Sequence, residues 1–437
     1  MDASRRKLEL STIESDQANV VMTGIPLRYR GSVSSKDVYK IPLEFLVYNK
    51  YNGRIGTEVK SFEKQDHVLD PELEKDREKI EEFLYKSKED RNDKTLNSLL
   101  KDTQQRYGIV TADGTIVDGN RRALLLNKLF RERAERGLTY SQVEHCKYFL
   151  AIILPEDATE KDIQQLETVY QMGEDDKLDY NPIEKYLKCF DLKQLGFTVN
   201  DIAGFMVEKE SQIKEWLSIL KLMDGYLDTY GYKGIYTRLE KTEGPFVDLN
   251  GYLEAYKNRS KSTSIVDWLY EDSDISDLKL VCFDYIRARY EGKEFREIAR
   301  TGNGGCIFAY KALWNSFLKE HVGRLPKDES TTEELRQLHP GDDLSKLLEA
   351  RDKDWKDSAK DFLEGNLGKH TSKLDDKRDA NQPLKLLEKA KDALNAVDID
   401  QESFYTDPSV SQCVREISSI VWEMKKGLDR KERPCLE

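Results

Sequence analysis

Residues 107–130 read YGIVTADGTIVDGNRRALLLNKLF, and this stretch joins two short strands to the start of a helix. The β-prone runs 108–110 and 115–117 flank Asp113-Gly114, and Asp-Gly between such runs is a strong signal for a hairpin turn. After the second run, apolar residues recur at the helical period. The stretch therefore predicts two paired strands followed directly by a helix.

The start of this helix has the features of an anion-binding site. The backbone amides of a first helical turn and the helix dipole attract negative charge, and Arg121 and Arg122 lie in that turn. Residues 120–136 carry six basic and two acidic side chains, a local charge of +4 in a chain of net charge −12. The segment therefore predicts an anionic ligand. The alternative is that Gly119 only closes a turn and that both arginines are solvated.

Length and composition limit the classes of protein to which this chain can belong. Its 437 residues, 38% hydrophobic and 35% charged, are enough for two to four domains of ordinary size. We expect no membrane association, because no apolar run approaches the roughly 20 residues of a spanning helix and the N-terminus lacks a signal-peptide core. The six cysteines are scattered without a Cys-x-x-Cys pair, which disfavours a zinc or disulfide scaffold and predicts the cytoplasm as the compartment.

Three stretches together resemble the ParB/sulfiredoxin fold. The strand, the turn, Gly-x-Arg-Arg and a following alanine in 116–123 resemble the phosphate motif with which ParB partition proteins bind CTP, sulfiredoxin binds ATP and free-serine kinases transfer a phosphoryl group. Residues 41–54 resemble the opening strand of the family and its Asn-Pro-x-Gln-Pro-Arg box, with Arg54 in place of the arginine. Residues 181–186, NPIEKY, resemble the Asn-Pro-Ile-Glu-x-Ala that opens the ParB helical domain. The matches cover roughly the first half of the chain.

The resemblance implies a nucleoside triphosphate, CTP or ATP, bound together with Mg²⁺. The residues it assigns to the nucleotide are Arg54, Gly119, Asn120, Arg121 and Arg122.

The chain departs from the family at positions that bear on catalysis. Partition proteins have a glutamate where this chain has Asn120, whereas Asp118 matches the Asp-Gly-x-x-Arg form of the serine kinases. A carboxylate at 118 can hold Mg²⁺ or accept a proton, or it can simply cap the helix. Glu167 is the best match in a blurred Glu-Asn-x-Gln-Arg box, which is followed by the acidic residues 174–176. Asp118 and Glu167 are thus the catalytic candidates, with Asp118 also the metal candidate; sulfiredoxin chemistry is excluded because it needs a cysteine at position 120.

A helix-turn-helix pattern extends over residues 198–223. Thr198 is placed to cap a first helix, a break follows near Val207, and 211–223 has the spacing of a second helix. The residues expected to contact DNA are Lys209, Ser211, Gln212 and Lys214. Three lysines and three glutamates leave the outward face without net positive charge. The alternative is a helical core unit that does not bind DNA.

The chain as a whole predicts an α+β ParB/sulfiredoxin-like domain followed by mainly α-helical domains that include the helix-turn-helix. We expect an N-terminal arm over 1–35, the nucleotide-binding domain over 36–155, the helix-turn-helix domain over 156–228 and a helical region over 229–437, in one or two subdomains. Within the second of these, 70–105 form a charged insertion with a helix and an unusually charged loop at 87–95.

The C-terminal region contains a candidate association helix. Partition proteins dimerise through a C-terminal segment, so the resemblance implies a homodimer. Residues 410–424, with Val414, Ile417, Ile420 and Val421 on one face, are suited to that contact or to packing within the chain.

Three functions agree with these features. The first is a ParB-like, nucleotide-dependent DNA-binding switch with slow nucleotide hydrolysis, of a partition, mobile-element or phage-defence type; the acidic total charge confines DNA contact to a patch. The second is a ParB-fold enzyme, a phosphotransferase or a nuclease. The third is a non-catalytic adaptor whose helical C-terminal half binds another protein.

Overall fold

The computed structural model of the protein describes residues 1–172, 181–290, 293–302, 304–327 and 330–432. The acidic residues 174–176 and Cys435, both noted in the sequence, lie outside the described residues. The described part is an α+β protein with a single five-stranded sheet in its N-terminal part, followed by helices.

The sheet has the order β1-β2-β5-β3-β4. β3 and β5 run parallel, with Ile109 opposite Ile152, and every other neighbouring pair is antiparallel. The predicted strands at 108–110 and 115–117 are β3 and β4. The strands are β1 (Val20–Tyr29), β2 (Ser32–Pro42), β3 (Gly108–Val110), β4 (Ile116–Asp118) and β5 (Tyr148–Ile153).

Eighteen α-helices surround and follow the sheet in the described residues. They are α1 (Ala3–Ser15), α2 (Gly56–Gln65), α3 (Glu74–Lys86), α4 (Glu89–Asp102), α5 (Asn120–Arg131), α6 (Tyr140–Val143), α7 (Glu160–Met172), α8 (Pro182–Gln194), α9 (Val199–Met206), α10 (Glu210–Thr229), α11 (Glu243–Lys257), α12 (Asp272–Arg287), α13 (Lys293–Ile298), α14 (Lys311–Arg324), α15 (Thr332–Leu338), α16 (Leu344–Asn395), α17 (Glu402–Thr406) and α18 (Pro408–Glu432).

The sheet is buried on both faces. Apolar side chains of α2 to α5 pack on one face, around Ile41 and Phe149. Leu166 of α7 joins the cluster on the other face, with Ile109 and Ile152. Because both faces are covered, the carboxyl end of β4 and the start of α5 are held from two sides.

Residues 1–35 do not form an arm, so that prediction is wrong. They form α1, β1 and the start of β2, and Leu10 and Ile13 of α1 are buried. The polar composition of this segment suggested a solvated arm, but one of its arginines, Arg6, is buried. Arg6 donates to the carbonyl of Asp113 at 2.9 Å and pairs with Glu72 at 2.6 Å. An arginine with these partners can be buried as part of the structure.

The predicted helix-turn-helix segment forms α9 and α10. Thr198 caps α9 in a capping box with Asp201, and the helix ends at Met206, followed by the C-cap Val207 with φ +53°. α10 begins at Glu210 and continues to Thr229, six residues beyond the predicted end. α8, α9 and α10 pack together around Leu192, Ile202 and Ile213.

The chain separates into two compact units, residues 1–367 and 368–437. The boundaries predicted near residues 155 and 228 fall inside the first unit. The early part of α16 is anchored there by Asp352, whose carboxylate pairs with Arg238 and, at 2.9 Å, with Arg287. The second unit contains the end of α16, α17 and α18.

Within the described ranges, none of the helices combines the length and the apolar character needed to cross a bilayer. Of the described cysteines, Cys146, Cys189, Cys282 and Cys306 are buried, Cys413 is exposed, and none forms a disulfide.

Candidate phosphate-binding site

Strand β4 leads directly into α5 through Gly119. This residue has φ +97°, and a Cβ atom built on it would lie 2.6 Å from Cζ of Phe149. Glycine is therefore required here both for the backbone conformation and for the space. Among the described residues no side chain caps α5, and the first amides of a helix have no partner within the helix itself.

Asn120 joins the start of α5 to a second segment of the site. Its side chain is buried; Oδ1 accepts the N–H of Asn49 at 2.8 Å, and Nδ2 donates to the carbonyl of Ile116 at 2.9 Å. Asn49 begins the loop that contains Asn52 and Arg54. Asn120 therefore holds this loop against the helix start. Both polar atoms of its side-chain amide already form hydrogen bonds within the protein.

A cavity of about 200 Å³ opens beside the helix start. It brings together all the residues that the sequence assigned to the nucleotide, together with the metal candidate. These are Arg54, Asp118, Gly119, Asn120, Arg121 and Arg122.

The other residues lining this cavity were not predicted from the sequence. They are Asn52, Leu84, Lys88, Arg91, Thr95 and Gln171. Lys88 precedes α4 and Arg91 lies in its first turn. The charged loop predicted at 87–95 is therefore mostly helix, and its unusual charge was the available signal for these two residues. With them the described lining carries five cationic side chains and one carboxylate, a net charge of +4.

The two arginines of the motif are fixed in different ways. Arg122 donates to the carbonyls of Arg106 at 2.6 Å and Tyr107 at 3.0 Å, and its side chain is 22% exposed. Burial lowers the pKa of Arg122, whereas the nearby carboxylate of Asp118 raises it. Arg121 donates to Oδ1 of Asn92 at 3.0 Å. A bound anion would favour the charged form of Arg122, because opposite charge offsets the cost of desolvation.

Asp118 is the carboxylate that the described lining offers to a metal ion. It lies at the end of β4, 3.9 Å from Arg122, and is 22% exposed. The described residues contain no group of three histidine, cysteine, aspartate or glutamate side chains able to hold a metal ion. Mg²⁺ is commonly held by one or two carboxylates together with phosphate oxygens and water. Asp118 therefore fits Mg²⁺ that enters with a phosphate ligand.

Glu167, the second catalytic candidate, is not among the described residues that line the cavity. It is 1% exposed, accepts the N–H of Gly53 at 2.9 Å and forms an ion pair with Lys188 at 2.5 Å. The residue of α7 that lines the cavity is Gln171, one turn further on. The structure thus places Glu167 behind the loop that contributes Asn52 and Arg54.

Glu184, in the segment that resembles Asn-Pro-Ile-Glu, lies in α8 and caps the start of α2. Its Oε1 accepts the N–H of Thr57 at 2.9 Å, in the first turn of α2. Its Oε2 and that of Glu58 are buried, and neither has a partner among the described residues. Burial, followed by the charge of Glu58, raises the pKa of Glu184 to about 8, and burial also raises the pKa of Glu58.

We expect this buried pair to make stability fall as pH rises from about 4.3, the ordinary glutamate pKa, to about 8. Over that window the folded protein retains a proton that the unfolded chain has released, so higher pH favours unfolding. Glu184→Gln preserves an acceptor for Thr57 and has no charge, so the variant should lose most of this slope. Urea unfolding at about pH 5 and about pH 8 measures it.

Glu184 and Glu160 both line a second cavity, next to the start of α2. Glu160→Gln is the matched control, because Glu160 is exposed. It should preserve the slope of the unmodified protein. A Glu184→Gln protein that is no more stable than the unmodified protein at about pH 8 would contradict the assignment.

The residues predicted to contact DNA lie together at the start of α10. Lys209 precedes the helix, Ser211 is exposed, Gln212 donates to Glu215 at 2.9 Å, and Lys214 pairs with Glu210 at 3.5 Å. The first turn of α10 therefore offers polar groups to a groove, but glutamates accompany its lysines. DNA contact here stays a prediction.

Comparison with known proteins adds no relative to this description. A scan against protein-family models gives no match to the chain, and a search of curated proteins gives none either.

Proposed function

We propose that the protein is a ParB-like, nucleotide-dependent DNA-binding switch, of a partition, mobile-element or phage-defence type. The observation that supports this most directly is the cavity at Gly119. The residues that the family resemblance assigns to the nucleotide come from two separated segments, around Arg54 and around Arg122, and they line this cavity together. The described lining carries a net charge of +4 at a helix start, and this suits a phosphate group.

The phosphates of CTP or ATP are the part of the ligand that the cavity would hold. Pockets for complete ligands usually measure about 300 to 1,000 Å³, whereas this one measures about 200 Å³. The first-turn amides of α5, Arg54 and Arg122 would bind the phosphate chain, and the base and sugar would lie outside the cavity. Asp118 would hold Mg²⁺ together with phosphate oxygens.

The position of Asp118 favours phosphoryl chemistry as the second candidate function. A carboxylate beside bound phosphate can hold Mg²⁺ or accept a proton from an attacking hydroxyl or water. Slow hydrolysis by a switch and phosphoryl transfer by an enzyme would both use Asp118. Turnover that is lost in Asp118→Asn while nucleotide affinity is retained identifies that role.

Two further elements belong to the proposed switch. The start of α10, with Lys209, Ser211, Gln212 and Lys214, would contact DNA in the cytoplasm over a limited patch. The exposed apolar face of α18 would join two copies of the chain. Binding of another protein through that face is the alternative.

The proposal predicts saturable nucleotide binding that depends on the cationic lining of the cavity. We expect calorimetric titration with CTP, ATP and GTP, each with and without Mg²⁺, to show binding of at least one. Arg122→Ala and Arg54→Gln should each weaken it at least about 30-fold, because charge-assisted bonds to phosphate contribute about 2 to 3 kcal/mol. Arg122 also bonds the carbonyls of Arg106 and Tyr107, so Arg54→Gln serves as an independent second substitution.

Arg131→Gln is the matched control. The substitution removes the same charge from the same helix, α5. Arg131 is not among the described residues lining the cavity, and it pairs with Glu81 at 3.4 Å. Its nucleotide affinity should stay within about twofold of the unmodified protein. Absence of binding to all three nucleotides would reject the proposed function and favour the adaptor.

A further inference from the structure

Residues 49–54 connect the candidate phosphate site to the helical part of the chain. Asn52 and Arg54 line the cavity. Gly53, between them, donates its N–H to Oε1 of Glu167 at 2.9 Å. The position of two cavity residues thus depends on a bond that the peptide unit between them makes to α7.

Glu167 is in turn fixed by α8. Its Oε2 pairs with Nζ of Lys188 at 2.5 Å, and Lys188 also donates to Oε1 of Gln164. The side chains of Glu167 and Lys188 are only 1% and 3% exposed. A continuous series of contacts therefore runs from the cavity through Gly53 and Glu167 to α8, which packs against the helix-turn-helix helices α9 and α10.

We infer that Glu167 and Lys188 are positioning residues, which hold the 52–54 loop in its anion-binding conformation and link anion binding to the placement of α8. The inference rests on the proposed function of the cavity. Here Glu167 acts through the backbone of Gly53, without touching the ligand.

The chemistry of the pair supports a positioning role. A buried ion pair adds little net stability, because desolvation of both charges offsets their attraction. What this pair supplies is a carboxylate oxygen at a fixed point, to which the Gly53 N–H is bonded. A displacement of α8 moves Lys188, which shifts Glu167 and with it the hydrogen bond to Gly53 in the loop. By linkage, a ligand that orders the loop must also favour the α8 placement that keeps the pair intact.

A second ion pair to α8, which comes from α2, provides a matched control. Lys60 of α2 pairs with Asp191 of α8 at 2.9 Å, but these side chains are 37% and 38% exposed. Among the described residues, neither of these side chains forms a hydrogen bond with residues 52–54. Removing Lys60 therefore weakens contact with α8 without changing the acceptor for Gly53.

The test measures anion affinity in the complete chain by calorimetry, with inorganic triphosphate and with the nucleotide that the unmodified protein binds. Lys188→Met should weaken binding at least about tenfold, because the unpaired Glu167 carboxylate would turn toward water and release Gly53. Glu167→Gln combined with Lys188→Met should restore affinity to within about threefold, since glutamine Oε1 can accept the same N–H and leaves no buried charge. Lys60→Met should bind like the unmodified protein.

A second comparison avoids dependence on the folding of Lys188→Met. Glu167→Ala and Glu167→Gln, each combined with Lys188→Met, differ in the acceptor offered to Gly53, and the alanine form should bind at least about tenfold more weakly. Circular dichroism confirms that the compared proteins are folded. Equal affinity of these two double variants would overturn the inference, as would normal binding by a folded Lys188→Met protein. An unmodified protein that binds neither probe would overturn the proposed function as well.

Discussion

Gly119→Ala is expected to lower the free energy of unfolding by about 2 to 5 kcal/mol. About 1 to 2 kcal/mol comes from placing a Cβ on a left-handed backbone, and about 1 to 3 kcal/mol comes from overpacking. The added methyl would meet Cζ of Phe149 at 2.6 Å, and that ring also lies against Gly108. The ring therefore has little room to move away. Urea unfolding of the two proteins measures the difference.

Gly137→Ala separates the two contributions. Gly137 also has positive φ, +65°, but a Cβ built there has no atom within 4 Å. This variant should lose only the backbone part, about 1 to 2 kcal/mol. Phe149→Leu in the Gly119→Ala background should recover part of the overpacking cost. Equal losses in Gly119→Ala and Gly137→Ala would mean that the helix start adjusts to a side chain without cost, contrary to the close approach of Phe149 to Gly119.

Val421→Asp is expected to dissociate the proposed homodimer. Val410, Val414, Ile417, Val421, Met424 and Leu428 follow one another at alternating steps of four and three residues along α18. This is the repeat of a helix that packs against another helix of the same repeat. Val414, Val421, Met424 and Leu428 are 49%, 53%, 50% and 64% exposed. A second copy of α18 has the matching repeat.

An aspartate at position 421 would be buried opposite its own copy, so two like charges would be desolvated together. We expect the dimer to weaken at least about 100-fold, about 3 kcal/mol, as measured by sedimentation equilibrium. Ser419→Asp is the matched control: it adds the same charge to the opposite, exposed face of α18 and should leave the dimer intact. An unmodified protein that sediments as a monomer at micromolar concentration would contradict the proposed homodimer and leave the partner-protein alternative.

Local sequence was sufficient for the elements around the candidate site. The Asp113-Gly114 turn, the two runs beside it and the helical spacing after Gly119 predicted β3, β4 and α5 at nearly their observed positions. Thr198 and the break near Val207 likewise predicted α9 and the start of α10. These signals depend on neighbours within a few residues, where turn chemistry and capping dominate.

The role of single charged residues was not predictable in this way. Arg6 looked like part of a solvated arm, but it is buried against Asp113 and Glu72. Glu167 looked catalytic from its place in a motif, yet its partners are Gly53 and Lys188. Whether a charge is solvated, paired or directed at a ligand depends on residues more than 20 positions away, which spacing does not reveal.

The sequence by itself determined the turn at Gly119, because its conformation follows from a glycine between a strand and a helix. It also determined the exposed repeat of α18, because that repeat is a property of residue spacing. Only the tertiary structure decided that Arg54, Lys88 and Arg91 lie around the same cavity as Gly119 and Arg122. It alone decided that Glu167 supports the 52–54 loop. Such groupings arise from packing of the sheet, α4 and α7, and packing brings together segments that have no local relation in the chain.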